Sequence, residues 1–320
     1  MKLENIKKIA VLGAGVMGHG IAQSFAYGGY EVTIYSVRQK GLDLAIAHIE
    51  ESLNLFVDSQ IIKKEDVQEI LTRITTTTIL RDAVTDADFI METIPEVLDL
   101  KQKTFQEIET YCKKDAIFAS NTSHLRVSDV FSQVYDQTRV VGAHYFNPPQ
   151  ICPTVEVVKA SQTSSETLQT TCDLMTKIKK DPVKVKKDVI GLVVNRLQTA
   201  LLREAFFLVE NGVVDVEVID KAVRGSLGFR AASIGPMKMV DMGGLDEWLD
   251  CCENLFPIMN NSQATPKVLA DLVAQGHTGI KSGKGFYEYA IDFGQKELDE
   301  AVKNRDQEFL ERYKKHFLKL

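Results

Sequence analysis

A histidine at the end of a predicted strand is the first residue of this sequence that could do acid–base chemistry. His144 closes the run RVVGAH and is followed by YFNPP. In doubly wound α/β sheets, ligands bind beyond the carboxyl ends of the strands. An imidazole at that edge can take a proton from a substrate hydroxyl, because its ordinary pKa of about 6.5 lies near working pH. A strand-end histidine can equally be a structural residue.

A glutamate on a neighbouring strand offers a partner for this histidine. Glu156 lies in PTVEVVK, where strand alternation places Thr154, Glu156 and Val158 on one face. If that face meets solvent, the glutamate needs no partner. If it is buried, the carboxylate needs one, and His144 is the nearest suitable group. A carboxylate on one imidazole nitrogen would orient the ring and stabilise its protonated form.

Two further polar residues lie where a substrate could reach them. Asn195 stands in GLVVNRLQTALL, inside the apolar stripe of a predicted helix, and is either a hydrogen-bonded core residue or a site residue. Ser123 follows the predicted strand AIFAS, again at the carboxyl end of a strand. Its alternative role is an ordinary loop or helix-capping serine.

A glycine-rich turn, GAGVMG at residues 13–18, points to a dinucleotide ligand. It follows the apolar run KKIAVL and opens the helical stretch HGIAQSFAYGG, which is the context that this motif requires. The first glycine permits the tight turn, the second admits a pyrophosphate to the backbone, and the third lets the helix pack closely on the strand. The predicted contact residues of the motif are Gly13, Gly15, Val16, Met17 and Gly18.

The elements that must position these groups divide the chain into two parts. In the first, β-rich runs alternate with helical stretches, and the strand candidates are KKIAVLG, YEVTIYS, ADFIMET, AIFAS and RVVGAHYF. This alternation predicts an α/β fold with a doubly wound Rossmann-like sheet. From DVIGLVVNRLQTALL onward the pattern is helical, with a long helix ending at Gly212 and further helices over 215–225, 236–259, 265–276 and 295–318. We therefore predict a dinucleotide-binding domain at 1–187 and an all-helical domain at 188–320.

Composition narrows the class of protein. The 320 residues carry a net charge of -6, which argues against a nucleic-acid partner and against an anionic membrane surface. No segment is apolar enough to span a membrane or to form the core of a signal peptide. The five cysteines lack CxxC spacing, so we expect reduced thiols in a cytoplasmic protein and no metal site.

Several stretches of the chain together resemble the 3-hydroxyacyl-CoA dehydrogenase family over almost its whole length. They are VLGAGVMGHGIAQSFA, ETIPEVLDLKQKTF, FASNTS, GAHYFNPP with VEVVK, VVNRL, GPMKMVDMGGLD and KSGKGFYEY, in the order that the family shows. The resemblance implies a Rossmann-like domain followed by a helical domain that forms a homodimer. It also implies a small-molecule substrate and NAD as the cofactor.

The resemblance also implies roles for individual residues. His144 matches the catalytic base, Glu156 its paired carboxylate, and Asn195 and Ser123 the groups that hold the reacting oxygens of the substrate. The residues that match positions near the ribose and nicotinamide of the cofactor are Glu96, Lys101, Asn147 and Lys281. The implied reaction removes the 3-hydroxyl proton of an L-3-hydroxyacyl compound, such as 3-hydroxybutyryl-CoA, while hydride passes to the nicotinamide and a 3-oxo product forms.

Two departures from the family pattern leave alternatives open. At the end of the second strand, Ser36 replaces the acidic residue that would bind the adenosine ribose, and Arg38 follows two residues later. The loss of the carboxylate and the nearby guanidinium make NADP an alternative cofactor. The other possibility is that Ser36 itself bonds the ribose of NAD.

The second departure concerns the substrate. Ser52 matches a serine that contacts CoA, but the basic positions expected on the same helix are Leu55 and Ser59, with Asp58 beside them. Since the CoA phosphates favour lysine at such positions, a free hydroxy acid or carboxylated alcohol is an alternative substrate, as in the related carnitine, gulonate and pyridine-carboxylate dehydrogenases. A non-catalytic, crystallin-like protein on the same fold is a third interpretation, although such a protein would not need the four acid–base and oxygen-binding residues.

Overall fold

The computed structural model of the chain describes residues 1–289 and 295–318, and for residues 295–301 it describes the backbone only. Spatial contacts divide it into two units. The first is Met1–Asn195 with Ala301–Leu320, and the second is Arg196–Glu300. No helix among the described residues is both long and apolar enough to cross a membrane.

The first unit is built on an eight-stranded sheet with the order β3-β2-β1-β4-β5-β6-β7-β8. Strands β1 to β6 run parallel, β7 runs antiparallel to β6, and β8 runs parallel to β7. The strands are β1 Lys8–Leu12, β2 Glu31–Tyr35, β3 Ile74–Thr77, β4 Phe89–Glu92, β5 Ile117–Ser120, β6 Val140–Tyr145, β7 Thr154–Val158 and β8 Asp181–Val185. The predicted fold class, a doubly wound Rossmann-like sheet, is confirmed.

Two of these strands were not predicted, and both lie at the edges of the sheet. β3 has the sequence ITTT and β8 the sequence DPVKV, and each keeps only one of its residues buried. An edge strand lacks the continuous apolar run that marks a parallel strand covered on both faces. The pattern used to find strands was therefore weak at these two places.

Helices cover both faces of the sheet. They are α1 Val16–Tyr27, α2 Gln39–Asp58, α3 Lys64–Thr72, α4 Leu80–Val84, α5 Leu98–Ile108, α6 Val127–Val130 and α7 Ser165–Lys177. Alternating residues of β1 separate two hydrophobic clusters: Ile9 and Val11 pack with α1, α2 and α7, whereas Ala10 and Leu12 pack with α4, α5 and α6. This two-sided burial leaves the carboxyl edge of the parallel strands for the site.

The second unit is helical. Its helices are α8 Val194–Glu210 (which starts within the first unit), α9 Val216–Ala222, α10 Gly228–Ala231, α11 Pro236–Gly243, α12 Leu245–Leu255 and α13 Lys267–Ala274. The helix predicted over 236–259 is broken at Gly244, whose φ of 92° is incompatible with a continuing helix. The long helix starts only at Val194, because Gly191 (φ 78°) and Leu192 (φ 50°) form a left-handed turn just before it.

The last helix differs from the predicted domain division. α14 spans Gln295–Tyr313, and its C-terminal half belongs to the first unit. Leu310 and Tyr313 are buried in the hydrophobic cluster of α1, α2 and α7. The Tyr313 hydroxyl also donates to the Lys179 carbonyl at 2.9 Å. The predicted domain 188–320 assigned this helix to the helical part; its apolar stripe instead completes the core of the Rossmann-like unit.

Candidate active site

The glycine turn lies between β1 and α1. Gly13 has a φ of 115°, which favours glycine, and a Cβ on Gly18 would lie 1.8 Å from the Gly13 carbonyl oxygen. A Cβ on Gly15 would meet nothing within 4 Å, so the backbone is open there. Gly15 is also the N-cap of α1 and provides no side-chain cap, which leaves the first amides of Val16 and Met17 available to an anion.

The end of β2 lies beside this turn. The Gly13 amide donates to the Tyr35 carbonyl at 2.9 Å, so the end of β2 lies next to the glycine turn. Ser36 is half-buried, and its hydroxyl oxygen lies 3.5 Å from the amide nitrogen of Arg38. Arg38 is exposed and is the N-cap of α2. The two residues thus flank the position at which a Rossmann-like sheet meets the adenosine ribose.

The acid–base pair is formed by the antiparallel strands β6 and β7. Their register sets His144 directly opposite Glu156. The Nδ1 atom of His144 lies 2.8 Å from Oε2 of Glu156, and both side chains are buried. The second carboxylate oxygen accepts hydrogen bonds from the amides of Val193 at 2.8 Å and Val194 at 2.9 Å. The left-handed turn before α8 is what presents those two amides.

Hydrogen bonding determines the charge state of this carboxylate. Burial alone would raise the pKa of Glu156, but the hydrogen bonds from His144, Val194 and Val193 outweigh it and hold the pKa below its usual value. An ionised carboxylate on Nδ1 leaves Nε2 as the imidazole nitrogen free to exchange a proton with a ligand.

A second ionic cluster lies at the end of β4. The Lys101 ammonium stands between two carboxylates, 2.5 Å from Oε1 of Glu92 and 3.1 Å from Oε2 of Glu96. Glu92 is fully buried, which raises its pKa, and its other oxygen accepts from the Ser120 hydroxyl at 2.5 Å. Burial alone would also raise the pKa of Glu96, but hydrogen bonds from Thr122 and from two backbone amides, with the Lys101 charge, lower it to about 2.

One cavity of about 440 Å³ within the first unit is lined by His144 of the acid–base pair and by Glu96 and Lys101 of the ionic cluster. Asn195 closes one side of it by donating from Nδ2 to the Ser123 carbonyl at 3.2 Å. The predicted site residues that line the cavity are Met17, Glu96, Lys101, Ser123, His144, Asn147 and Asn195. Among the described residues there is no group of three or more side chains suited to hold a metal ion.

Two predicted site residues lie elsewhere. The hydroxyl oxygen of Ser52, on α2, is buried and has no hydrogen-bond partner in the described part of the chain. Its role as a substrate contact stays a prediction. Lys281 is exposed on a short 3₁₀ turn, Ile280–Ser282, of the second unit.

Sequence reasoning missed two residues of the site. Glu92 forms an ion pair with Lys101. Asn121 lines the cavity, and its Oδ1 accepts a hydrogen bond from the Tyr145 amide at 2.8 Å. The available signal for Glu92 was its place as the acidic last residue after the apolar run FIM of β4. The Asn121 contact joins positions 24 residues apart and leaves no local pattern.

The fold and this cavity define the chain as a nicotinamide-dependent oxidoreductase. The model of the 3-hydroxyacyl-CoA dehydrogenase NAD-binding domain matches residues 8–189, and that of the family's C-terminal domain matches residues 191–289. The chain therefore belongs to the 3-hydroxyacyl-CoA dehydrogenase family, and its domain 8–189 is the NAD-binding domain of that family.

Three relatives show the range of the similarity. A 5-formyl-3-hydroxy-2-methylpyridine 4-carboxylate 5-dehydrogenase of Mesorhizobium japonicum is 35% identical over 89% of this chain and 91% of its own length. A 3-hydroxybutyryl-CoA dehydrogenase of Clostridioides difficile is 34% identical over 88% of this chain and 99% of its own length. A crystal structure of a dehydrogenase of that pyridine carboxylate, described as an NAD⁺-dependent dismutase, superposes with a TM-score of 0.88 at 31% identity, over 97% of this chain and 98% of that one.

Proposed function

We propose that this enzyme oxidises the 3-hydroxyl group of a small acyl or carboxylated substrate with NAD, using His144 as the general base. The observation that carries the proposal is the 2.8 Å contact between Glu156 and Nδ1 of His144, whose side chain lines the cavity. It fixes the ring and leaves Nε2 to accept the substrate proton. Such proton transfer contributes typically about 10²–10⁴-fold to the rate.

The residues present fit a dinucleotide. The open backbone at Gly15 and the uncapped start of α1 suit a pyrophosphate, and Met17 connects this helix to the cavity wall. When bound, NAD supplies the nicotinamide that accepts a hydride from the carbon that carries the substrate hydroxyl. The proton moves to Nε2 of His144, while the imidazolium that forms is stabilised by the Glu156 carboxylate.

Other cavity residues would position the ligands. Asn195 and Ser123, joined by their hydrogen bond, lie where they could hold the reacting oxygens of the substrate. Glu96, Lys101 and Asn147 would contact the cofactor's ribose and nicotinamide, and Lys281 is proposed as a further cofactor contact from the family pattern alone. Because Glu96 is ionised down to about pH 2, it can accept hydrogen bonds from ribose hydroxyls at any working pH.

The family assignment favours a 3-hydroxyacyl-CoA as the substrate, and one observation favours a substrate without CoA. Leu55 and Ser59, which stand at the positions expected to be basic, are buried, and Lys314 after α14 donates to the Ser59 carbonyl at 3.3 Å. The C-terminal segment therefore contacts the helix face on which CoA-binding lysines would be expected.

A substrate screen tests both versions. Purified enzyme is mixed with CoA-linked and free 3-hydroxy compounds, including a pyridine bearing a hydroxymethyl and a carboxylate group, and the nicotinamide absorbance is followed. We expect turnover that is lost in His144→Ala and retained in His48→Ala, which replaces an exposed histidine of α2. Full turnover by His144→Ala would remove this residue from the mechanism. Absence of turnover by the parent on the whole panel would contradict the proposed reaction.

NADP is proposed as an alternative cofactor on the evidence of Ser36 and the exposed Arg38. The serine cannot repel a 2′-phosphate, and the guanidinium can pair with one. Running each substrate with both cofactors decides the point. A strong preference for NAD would exclude the NADP proposal.

We also propose a homodimer formed through the helical unit. None of its described residues, 196–289, is buried, and large apolar side chains stand open, among them Phe229 (73% exposed), Met237 (77%), Phe256 (69%) and Ile258 (73%). A second copy would cover this apolar surface, which a monomer would leave in water. Sedimentation should give twice the chain mass of 35.8 kDa at micromolar concentration. A monomer across that range would overturn the proposal.

A cytoplasmic location is proposed from the thiols. All five cysteines are free, and all except the buried Cys172 are partly exposed. Free, partly exposed thiols suit a reducing compartment. Fractionation of the native cells tests the proposal, and recovery of the protein outside the cytoplasm would contradict it.

A further inference from the structure

The connection between β6 and β7 has a direct influence on the acid–base pair. Residues 146–153 join the strand that carries His144 to the strand that carries Glu156. Phe146 packs edge-on against the His144 ring at 4.6 Å between centroids, and Asn147 lines the cavity. The position of this loop therefore determines where Phe146 and Asn147 lie. It also affects the hairpin that carries both partners of the acid–base pair.

One side chain from another part of the fold holds this loop. Lys180, between α7 and β8, directs its ammonium at three carbonyl acceptors of the loop. The Nζ atom lies 2.6 Å from the carbonyl oxygen of Pro149, 3.2 Å from that of Gln150 and 3.0 Å from that of Cys152. The side chain is only 5% exposed. An ammonium has three N–H donors, so every donor is used and each carbonyl is satisfied.

The arrangement is not an ordinary ion pair. In the described part of the chain no carboxylate pairs with Lys180, and the positive charge is held by carbonyl dipoles. Burial accordingly lowers the pKa of Lys180, whereas the hydrogen bonds to the three carbonyl oxygens favour its protonated form, which has three N–H donors. Placing a lysine here is unfavourable for the charge itself. What it contributes is the alignment of three backbone groups of one loop.

The opposite side of the loop is held by α1. A Cβ on Gly20 would lie 2.3 Å from Oε1 of Gln150 and 2.7 Å from Cγ of Pro149, so the loop touches the helix of the glycine turn. The lysine itself is fixed by a tight turn in which Lys179 has a φ of 64°. The Lys180 amide donates to the Met175 carbonyl at 2.9 Å. The loop thus lies between the helix predicted to bind the cofactor and one buried ammonium.

We propose that Lys180 is a positioning residue for hydride transfer, which acts by aligning the 146–153 loop with the cavity and thereby fixing His144 and Asn147. The inference rests on the proposed roles of those two residues. Without the ammonium, two buried carbonyls and one partly buried carbonyl lose their donor, and each unsatisfied buried group costs about 1–3 kcal/mol. The loop would relax to find other partners. A misplacement of about 1 Å at reacting groups costs on the order of 10²-fold in rate.

The test compares Lys180→Met with Lys179→Met. Methionine is close to lysine in length but donates no hydrogen bond, and Lys179 is an exposed neighbour that receives the same substitution. Folded sites are counted by NAD titration, and kcat is expressed per site. We expect kcat to fall at least tenfold in Lys180→Met, with the substrate KM within about threefold of the parent, and no change in Lys179→Met. Parent kcat per site in Lys180→Met, with only a lower melting temperature, would show a purely structural role and overturn the proposal.

Two further measurements keep the test decisive. If Lys180→Met does not fold, Lys180→Gln retains two of the donors, and kcat per site is expected to fall below that of the parent, by less than the complete loss of donors would cause. The imidazole N–H resonance of His144, assigned by its loss in His144→Asn, should shift in the Lys180 variants and stay in place in Lys179→Met. This readout needs no substrate. An absence of turnover in the parent would therefore refute the proposed function, whereas an unmoved resonance would refute the role of Lys180.

Discussion

Replacing Glu156 by glutamine tests the acid–base pair most directly, because the change is nearly isosteric. The carboxylate accepts at both ends, from His144 at one oxygen and from the amides of Val193 and Val194 at the other. Glutamine has one acceptor end and one donor end. If its oxygen faces the two amides, its NH₂ group donates to Nδ1 of His144, and the imidazole proton must then reside on Nε2. That tautomer cannot accept a proton from the substrate.

The opposite orientation keeps the productive tautomer but sets an NH₂ group against two backbone donors. An unsatisfied buried donor costs about 1–3 kcal/mol, so the two partly buried amides together cost at most about 2–6 kcal/mol. The unproductive orientation is favoured by that amount, so the productive form falls by roughly 30-fold to 10⁴-fold. We expect Glu156→Gln to lower kcat within this range and to leave NAD affinity unchanged. Glu31→Gln, at an exposed position at the start of β2, is the matched control.

The pH dependence of stability gives a second readout of the same variant. The pKa of Glu156 is lower in the folded protein than its usual value of 4.5. Its contribution to the free energy of unfolding is therefore present above about pH 4.5 and is lost as the pH falls through the folded pKa. The parent should lose stability more steeply than Glu156→Gln on acidification, as followed by chemical denaturation.

A kcat of Glu156→Gln within threefold of the parent, at equal folded fraction, would refute the reasoning about the tautomer.

Three other perturbations follow from the cavity. Gly18→Ala should lower both the melting temperature and NAD affinity because its Cβ meets the Gly13 carbonyl, whereas Gly15→Ala should fold normally and lose only NAD affinity, as calorimetry and titration would show. Ser36→Asp should reduce the NADP-to-NAD ratio of kcat/KM at least tenfold, and an unchanged ratio would exclude this position as the determinant. Glu96→Gln should lower the free energy of unfolding by about 1–3 kcal/mol near neutral pH, a difference that shrinks as the pH falls from 4.5 toward 2; equal acid profiles of the two proteins would contradict the low pKa.

The most local parts of the molecule could be predicted from sequence. The glycine turn needs its residue types at fixed spacing, since Gly13 has a positive φ and Gly18 has no room for a Cβ. The central parallel strands are mostly apolar because both of their faces are covered. Alternation in β7 placed Glu156 on the face that meets His144, and the prediction of their proximity agrees with the 2.8 Å contact.

Other features depend on residues far apart in the chain. The edge strands β3 and β8 carry little apolar signal. α8 starts later than predicted because Gly191 and Leu192 form a left-handed turn, and the two amides that follow this turn donate to Glu156. No local pattern indicates that Lys101 is buried between two carboxylates or that the C-terminal helix returns to the first unit.

Sequence by itself therefore determined the α/β part followed by a helical part, the dinucleotide turn and the chemical types at the site, because these depend on local backbone conformation and on which faces are apolar. Tertiary structure alone decided the β6–β7 register, the satisfaction of each buried charge and the clamping of the 146–153 loop by Lys180. A buried polar group must find its partner wherever the fold brings one, and that partner stands at no fixed distance along the chain.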